Sequence, residues 1–154
     1  MPSVYRTTHG RAVIADWCVK QLDAWTVPHT RSLLPTSAGH THLTAAGVPG
    51  GPVSVLVVPG TNFNAATSLP LATALANHWP VHVADLPGQP GLSAPDRPRR
   101  DHTDWYAAWL SEVCTHLSGP LVMVGHSLGG AIALACDSPH IAGRVLIAPA
   151  GLAA

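Results

Sequence analysis

Val122-Met123-Val124-Gly125-His126-Ser127-Leu128-Gly129-Gly130 is the stretch on which the reading of the fold turns. An apolar run ends at a serine set between two glycines and passes at once into Ala131-Ile132-Ala133-Leu134-Ala135-Cys136, a helical pattern. Ser127 therefore falls on a strand-to-helix turn, and G-x-S-x-G in that setting reads as a nucleophile elbow. Such a turn holds its serine in a sparsely populated backbone conformation. It needs almost no side chain at Gly125 and Gly129, where strand and helix draw together. The hydroxyl is lifted above the strand ends, and the Leu128 amide is left at the first turn of a helix, aimed where negative charge develops on an attacked carbonyl. A plain tight turn would use the same residues; the strand before and the helix after favour the elbow.

Working outward, four apolar stretches read as strands: Val53 to Val58, Val81 to Ala84, Leu121 to Val124 and Val145 to Ala148. They are continuous and not alternating, as expected of strands covered on both faces. Helical patterns lie between them at Leu69 to Trp79, Thr103 to Leu117 and Leu128 to Cys136, with Trp105, Trp109, Val113 and Leu117 spaced by four. Strand and helix in alternation predict an α/β fold, a doubly wound and mostly parallel sheet with right-handed crossovers. Nearer the N-terminus, Val13, Ile14, Trp17, Cys18, Leu22 and Trp25 predict an amphipathic helix over 11–25, stopped by Val27-Pro28. Arg31 to Leu34 and His40 to Thr44 read as two short strands joined at Ser37-Ala38-Gly39. The chain thus divides into a leading helical segment, 1–30, and a core, 31–154.

In such sheets the ligand crevice lies beyond the carboxyl ends of the strands. The loop after Val58 reads Pro59-Gly60-Thr61-Asn62-Phe63-Asn64. Its glycine permits close backbone approach, and the Thr61 amide is the first candidate for a second oxyanion donor, with Asn62 next. The loop after Ala84, Asp85-Leu86-Pro87-Gly88-Gln89-Pro90-Gly91-Leu92-Ser93, is turn chemistry throughout, and Asp85 is expected to brace it through backbone hydrogen bonds.

Composition narrows the partners. With 154 residues the chain is long enough for one domain that buries roughly two thirds of its unfolded surface. Eight basic residues balance eight acidic ones, and charged residues make up only 10%, so no electrostatic footprint for nucleic acid or an anionic membrane is present. The 15 prolines and 14 glycines fall at joints between apolar runs and mark turns in a folded domain. Cys18, Cys114 and Cys136 are odd in number and far apart, which predicts buried free thiols and a reducing compartment. Met1-Pro2-Ser3-Val4-Tyr5-Arg6 lacks the apolar segment of a signal peptide, and no run is long enough to span a bilayer. A soluble, cytoplasmic protein is expected.

Taken together, these stretches resemble the N-terminal part of an α/β-hydrolase fold enzyme of the bacterial carboxylesterase-like kind. The resemblance rests on the elbow at 122–130, on Asp85 to Ser93 as a D-x-x-G-x-G-x-S type loop, and on Val145-Leu146-Ile147-Ala148-Pro149-Ala150 as the sixth strand and its exit. Trp25-Thr26-Val27-Pro28 and Gly39-His40-Thr41-His42 followed by Gly47 resemble the start of the same group. Pro59 stands where the family often has His, and Pro90 alters the loop spacing. The resemblance implies acyl-enzyme chemistry at Ser127 on a small carboxylic ester, thioester or lactone, with the Leu128 and Thr61 amides as oxyanion hole and with no cofactor or metal ion.

In this fold the triad runs serine, acid, histidine along the chain. After Ser127 the sequence holds a single acid, Asp137, and a single histidine, His140. Asp137 lies ten residues down the helix that Ser127 begins, on the order of 15 Å away. His102, with Asp101 and Asp104, is a remote upstream alternative that helix capping explains as well. His40 and His42 have no third ligand near them in sequence and read as strand residues, not a metal pair. Two expectations follow: a serine hydrolase truncated after the sixth strand, weak or inactive alone, or a non-catalytic half-domain or split-enzyme subunit that pairs with a second polypeptide, or with itself, through the exposed sheet edge.

Overall fold

The computed structural model describes residues 1–100 and 102–151. In chain order they form α1 (Thr8–Ala24), β1 (His29–Thr36), β2 (Gly39–Ala46), β3 (Ser54–Val58), α2 (Leu69–Ala76), β4 (Val81–Ala84), α3 (His102–Leu117), β5 (Leu121–His126), α4 (Leu128–Ala135) and β6 (Ile141–Ile147). The six strands make one sheet in the order β1-β2-β4-β3-β5-β6. The hairpin β1–β2 joins antiparallel to β4, and β4, β3, β5 and β6 run parallel. This is the doubly wound, mostly parallel α/β sheet that the strand and helix patterns predict.

The period of two along a strand sorts its residues between two cores. Leu56 and Val58 of β3 and Leu121 and Met123 of β5 pack with Tyr106, Trp109, Leu110 and Val113 of α3 and Ile132 and Ala133 of α4. The intervening Val55, Val57 and Val124 face the other way and pack with Cys18 and Leu22 of α1 and Ala72 and Ala76 of α2. Only part of the N-terminal stripe is used. Cys18 and Leu22 are buried and Ile14 and Trp25 half-buried, whereas Val13 and Trp17 are exposed.

Two boundaries and one face differ from the sequence reading for physical reasons. The β1–β2 hairpin pairs from His29↔Ala46 to Thr36↔Gly39, beyond the two short strands expected. Pro35 is tolerated because β1 is an edge strand, where a missing N–H costs no ladder bond. The last strand starts at Ile141 and not at Val145, because Gly143 and Arg144 interrupt the apolar run without ending the pairing. Coverage also differs for β6: Leu146 packs against the α3/α4 core, but Val145 and Ile147 on the other face are 50% and 41% exposed. Among the described residues no helix covers that face, so both-sided burial holds for β3 but not for the edge.

Candidate active site

At the carboxyl end of β5 the chain turns directly into α4. Ser127, the hinge of that turn, has φ 50° and ψ −115°, a conformation costly to a residue with a side chain. Its neighbours hold it there. The Ser127 amide donates to the Ile147 carbonyl at 3.0 Å, while its own carbonyl accepts from Gly130 at 3.0 Å, Ala131 at 3.2 Å and Ala150 at 2.9 Å. The last bond brings the exit of β6 against the turn. Close approach then dictates the glycines: a Cβ on Gly125 would lie 2.7 Å from the Gly129 carbonyl oxygen and from the Gly130 Cα.

The loop after β3 lies beside this turn. A Cβ on Gly60 would meet the His126 ring at 2.8 Å and the Ser127 Cβ at 3.2 Å, so the backbone at Gly60 touches the serine. The Phe63 amide donates back to the Gly60 carbonyl at 3.0 Å and closes a turn whose third residue, Asn62, has φ 63°. The two candidate amides here have different fates. That of Asn62 donates to Gln89 Oε1 at 3.1 Å, whereas that of Thr61 donates to no described residue. The Leu128 amide, at the first helical position, is likewise without a described acceptor.

Beneath these turns runs the loop after β4. Asp85, 2% exposed, accepts from the Ala65 amide at 2.7 Å and the Leu92 amide at 3.0 Å, one to each carboxylate oxygen. The Ser93 hydroxyl donates to the Asp85 carbonyl at 2.6 Å and accepts the His42 amide at 2.8 Å. Asp85 thus fastens two loops and β2 together, as a brace and not as an open acid. Burial pushes its carboxyl up to about 6, against the pull of the two amides. His42 Nδ1 stands 3.7 Å from the same carboxylate, too far for a hydrogen bond, and has no partner. That approach would favour an ion pair, but desolvation prevails: burial, seconded by Arg31, draws His42 down to about 4.

Gln89 was not singled out by the sequence and is 2% exposed. Its Nε2 lies 3.4 Å from the Tyr106 hydroxyl, which donates at 2.8 Å to the Pro87 carbonyl. A cleft of about 190 Å³ opens next to the serine turn between Pro59, Gly60, Phe63, Leu71, His126 and Ile147. Thr67 and Ser68 also line it, but their hydroxyls donate to the Asn64 carbonyl, which leaves its wall apolar. Phe63 and His126 pack edge to face across the rim, ring centroids 5.3 Å apart.

The remaining candidates lie elsewhere. His102 begins α3, exposed, with its ring on the Pro98 carbonyl at 2.7 Å, and Asp101 lies outside the described residues. Asp137 and His140 sit between the far end of α4 and the start of β6. No described side chain hydrogen-bonds to Ser127 Oγ. The fold therefore brings together Ser127, Leu128 and the Gly60–Thr61 turn, and leaves Asp137, His140 and His102 apart from them.

Residues 55–154 match the alpha/beta hydrolase family. Among solved structures the chain is similar to carboxylesterase CesB of Bacillus subtilis, with 21% identity and TM-score 0.82, over 93% of this chain and 51% of that one. It is similar also to naproxen esterase of Bacillus subtilis, with 22% identity and TM-score 0.77, over 91% and 50% of the two chains. A third likeness is to N-formylmaleamic acid deformylase of Pseudomonas putida S16, with 27% identity and TM-score 0.66, over 78% and 47%. The chain spans about half the length of these proteins. No curated protein matches it.

Proposed function

The chain belongs to the alpha/beta hydrolase family, and from that footing we propose that it is the N-terminal part of a serine hydrolase for carboxylic esters or related acyl compounds. Ser127 is the nucleophile on its elbow, and the Leu128 and Thr61 amides form the oxyanion hole. The observation that carries this reading is the Ser127 backbone, held at φ 50° beside two amides that donate to no described residue. Strain of that kind persists only where surroundings over-determine it, and free amides at a helix start are an anion-stabilising device. In the reaction Oγ bonds to the acyl carbon, negative charge passes through the carbonyl oxygen between the two amides, and the carbon–oxygen bond to the leaving alcohol breaks as the proton lost by Oγ ends on that oxygen. Water then adds to the acyl carbon, the bond to Oγ breaks, and the acid leaves with the serine hydroxyl restored. The apolar cleft beside Gly60 receives part of the substrate.

Alone, the 154-residue chain has little turnover, because no described group reaches Oγ to take its proton. Loss of the base costs up to about a million-fold in kcat. The esterase activity named for two of the similar structures supports an ester substrate. Three buried free thiols support a reducing compartment, the cytoplasm. A second reading, a half-domain that pairs with another polypeptide or with itself, is favoured by one feature, the exposed Val145 and Ile147 on the edge strand β6.

The test is p-nitrophenyl butyrate with the purified chain and with Ser127→Ala. Slow p-nitrophenol release and a butyryl mass on the Ser127 peptide, both abolished in the variant, are expected. Release and labelling unchanged in Ser127→Ala would overturn the assignment. Rapid turnover that depends on Ser127 would place a base within this chain, with His102 the first to substitute.

A further inference from the structure

We infer that Gln89 is a positioning residue that sets the oxyanion turn through its side-chain amide. The inference rests on the hydrolase reading above, in which the Thr61 amide is an oxyanion donor. It goes beyond that reading by naming what fixes the peptide that directly follows that amide.

The turn Gly60-Thr61-Asn62-Phe63 has the central peptide orientation that goes with a positive φ at its third residue, here Asn62 at 63°. Asparagine tolerates that conformation better than most residues, but it is not held there by its own side chain, which makes no hydrogen bond to a described residue. Rotation of the Thr61–Asn62 peptide would relieve the positive φ and reset the turn next to Ser127. One group opposes it from the side: Gln89 Oε1, which accepts the Asn62 amide at 3.1 Å. The bond spans 27 positions of sequence and joins the loop after β3 to the loop after β4.

Gln89 is suited to the task because it is itself fixed. It is buried at 2% exposure, in a loop that Asp85 and Ser93 brace. Its Nε2 points to the Tyr106 hydroxyl, whose proton is committed to the Pro87 carbonyl. That oxygen is therefore an acceptor, and it decides which way the carboxamide faces: nitrogen to Tyr106, oxygen to Asn62. The chain from the Pro87 carbonyl through Tyr106 and Gln89 to the Asn62 amide thus orients the turn from the buried face of α3. It also takes the Asn62 amide out of use and leaves that of Thr61 available.

The test uses the full 154-residue chain, ¹⁵N-labelled, in wild type, Gln89→Met, Gln89→Asn and Gln89→Glu. Met keeps the volume and removes the acceptor; Asn keeps the amide but is one methylene too short to reach; Glu keeps an acceptor for Asn62. Two quantities are read: hydrogen exchange of the Asn62 amide, and affinity for phenylboronic acid. On binding the latter, Ser127 Oγ adds to boron, its proton passes to solvent, and a tetrahedral anion forms at the oxyanion position. Expected are exchange at Asn62 faster by roughly tenfold in Gln89→Met and Gln89→Asn, with phenylboronate bound roughly tenfold more weakly, the size of a hydrogen bond lost and of part of an oxyanion donor. Gln89→Glu should retain Asn62 protection. Should Gln89→Met not fold, Gln89→Asn gives the same reading. Unchanged Asn62 exchange and unchanged Ser127-dependent boronate binding in these variants would overturn the inference and leave the hydrolase reading intact. Wild-type chain that does not bind phenylboronate through Ser127 would overturn that reading, and the inference with it.

Discussion

A Cβ on Gly129 would lie 1.9 Å from the carbonyl oxygen of Val58, and 2.4 Å from that of Pro59. The first turn of α4 thus rests directly on the end of β3, which puts the serine turn and the loop after β3 in one place. Because the opposing atoms are backbone, no rotamer change relieves the clash. Gly129→Ala is expected to cost about 3 kcal/mol or more. Gly143→Ala, on β6 with nothing within 4 Å of its Cβ, should stay within about 0.5 kcal/mol of wild type. Urea unfolding followed by far-UV circular dichroism separates the two; equal midpoints would contradict the packing.

The buried Asp85–His42 pair gives stability an unusual pH dependence. Asp85 is raised from 3.8 to about 6, so its neutral form is the one the fold prefers. Its contribution is present below about 4 and is lost as pH rises through about 6. His42 is lowered from 6.5 to about 4, so the fold prefers it uncharged, and its contribution is lost as pH falls from about 6.5 to 4. Over pH 4–6 the two slopes oppose and largely cancel. Asp85→Asn removes one of them and should uncover the other, so that stability rises with pH across that window by about 1 kcal/mol per unit. Equilibrium unfolding of both proteins at pH 4.5 and 6 checks it; a flat profile in the variant would refute it.

How much of this was legible in the sequence depends on how local the cause is. The strand-to-helix turn at Ser127 is written in adjacent residues, since both the glycines and the flanking apolar runs lie within one stretch. The bracing role of Asp85 was likewise readable from turn chemistry. Gln89 was not, because its partners Asn62 and Tyr106 lie 27 and 17 residues away and meet it only after β3, β4 and α3 have packed. A glutamine between two prolines, in a loop rich in turn formers, was the available signal. The extent of β6 was hidden for a different reason. Arg144 interrupts the apolar run, yet its backbone stays in the ladder opposite Met123 while its side chain reaches the end of α4.

That role makes its own prediction. Arg144 Nε donates to the Ala133 carbonyl and Nη2 to the Cys136 carbonyl, both at 2.7 Å, satisfying two of the carbonyls left open where α4 ends. A positive group there also complements the helix dipole. The guanidinium is partly open to solvent, so Arg144→Ala is expected to cost only about 1 kcal/mol. Arg144→Lys should recover less than half of it, since a single ammonium does not reproduce the planar fork that spans both carbonyls. Thermal denaturation of the three proteins gives the ordering, and a lysine variant as stable as wild type would rule out the two-point cap.

The exposed face of β6 leads to a prediction about association. Val145 and Ile147 are 50% and 41% exposed on a strand whose outer edge pairs with no described residue. Unpaired N–H and C=O groups beside apolar side chains favour strand addition, and a charge on such an edge opposes it. Val145→Lys should therefore lower concentration-dependent self-association in sedimentation velocity. Its unfolding midpoint should change little, because the side chain it replaces is half in solvent and leaves no cavity. The α3/α4 core beneath is untouched, as Leu146 faces that core and Val145 faces away from it. Association that persists in Val145→Lys and in the double variant with Ile147→Lys would place the contact elsewhere, and the reading of this chain as a half-domain paired through its sheet edge would fall.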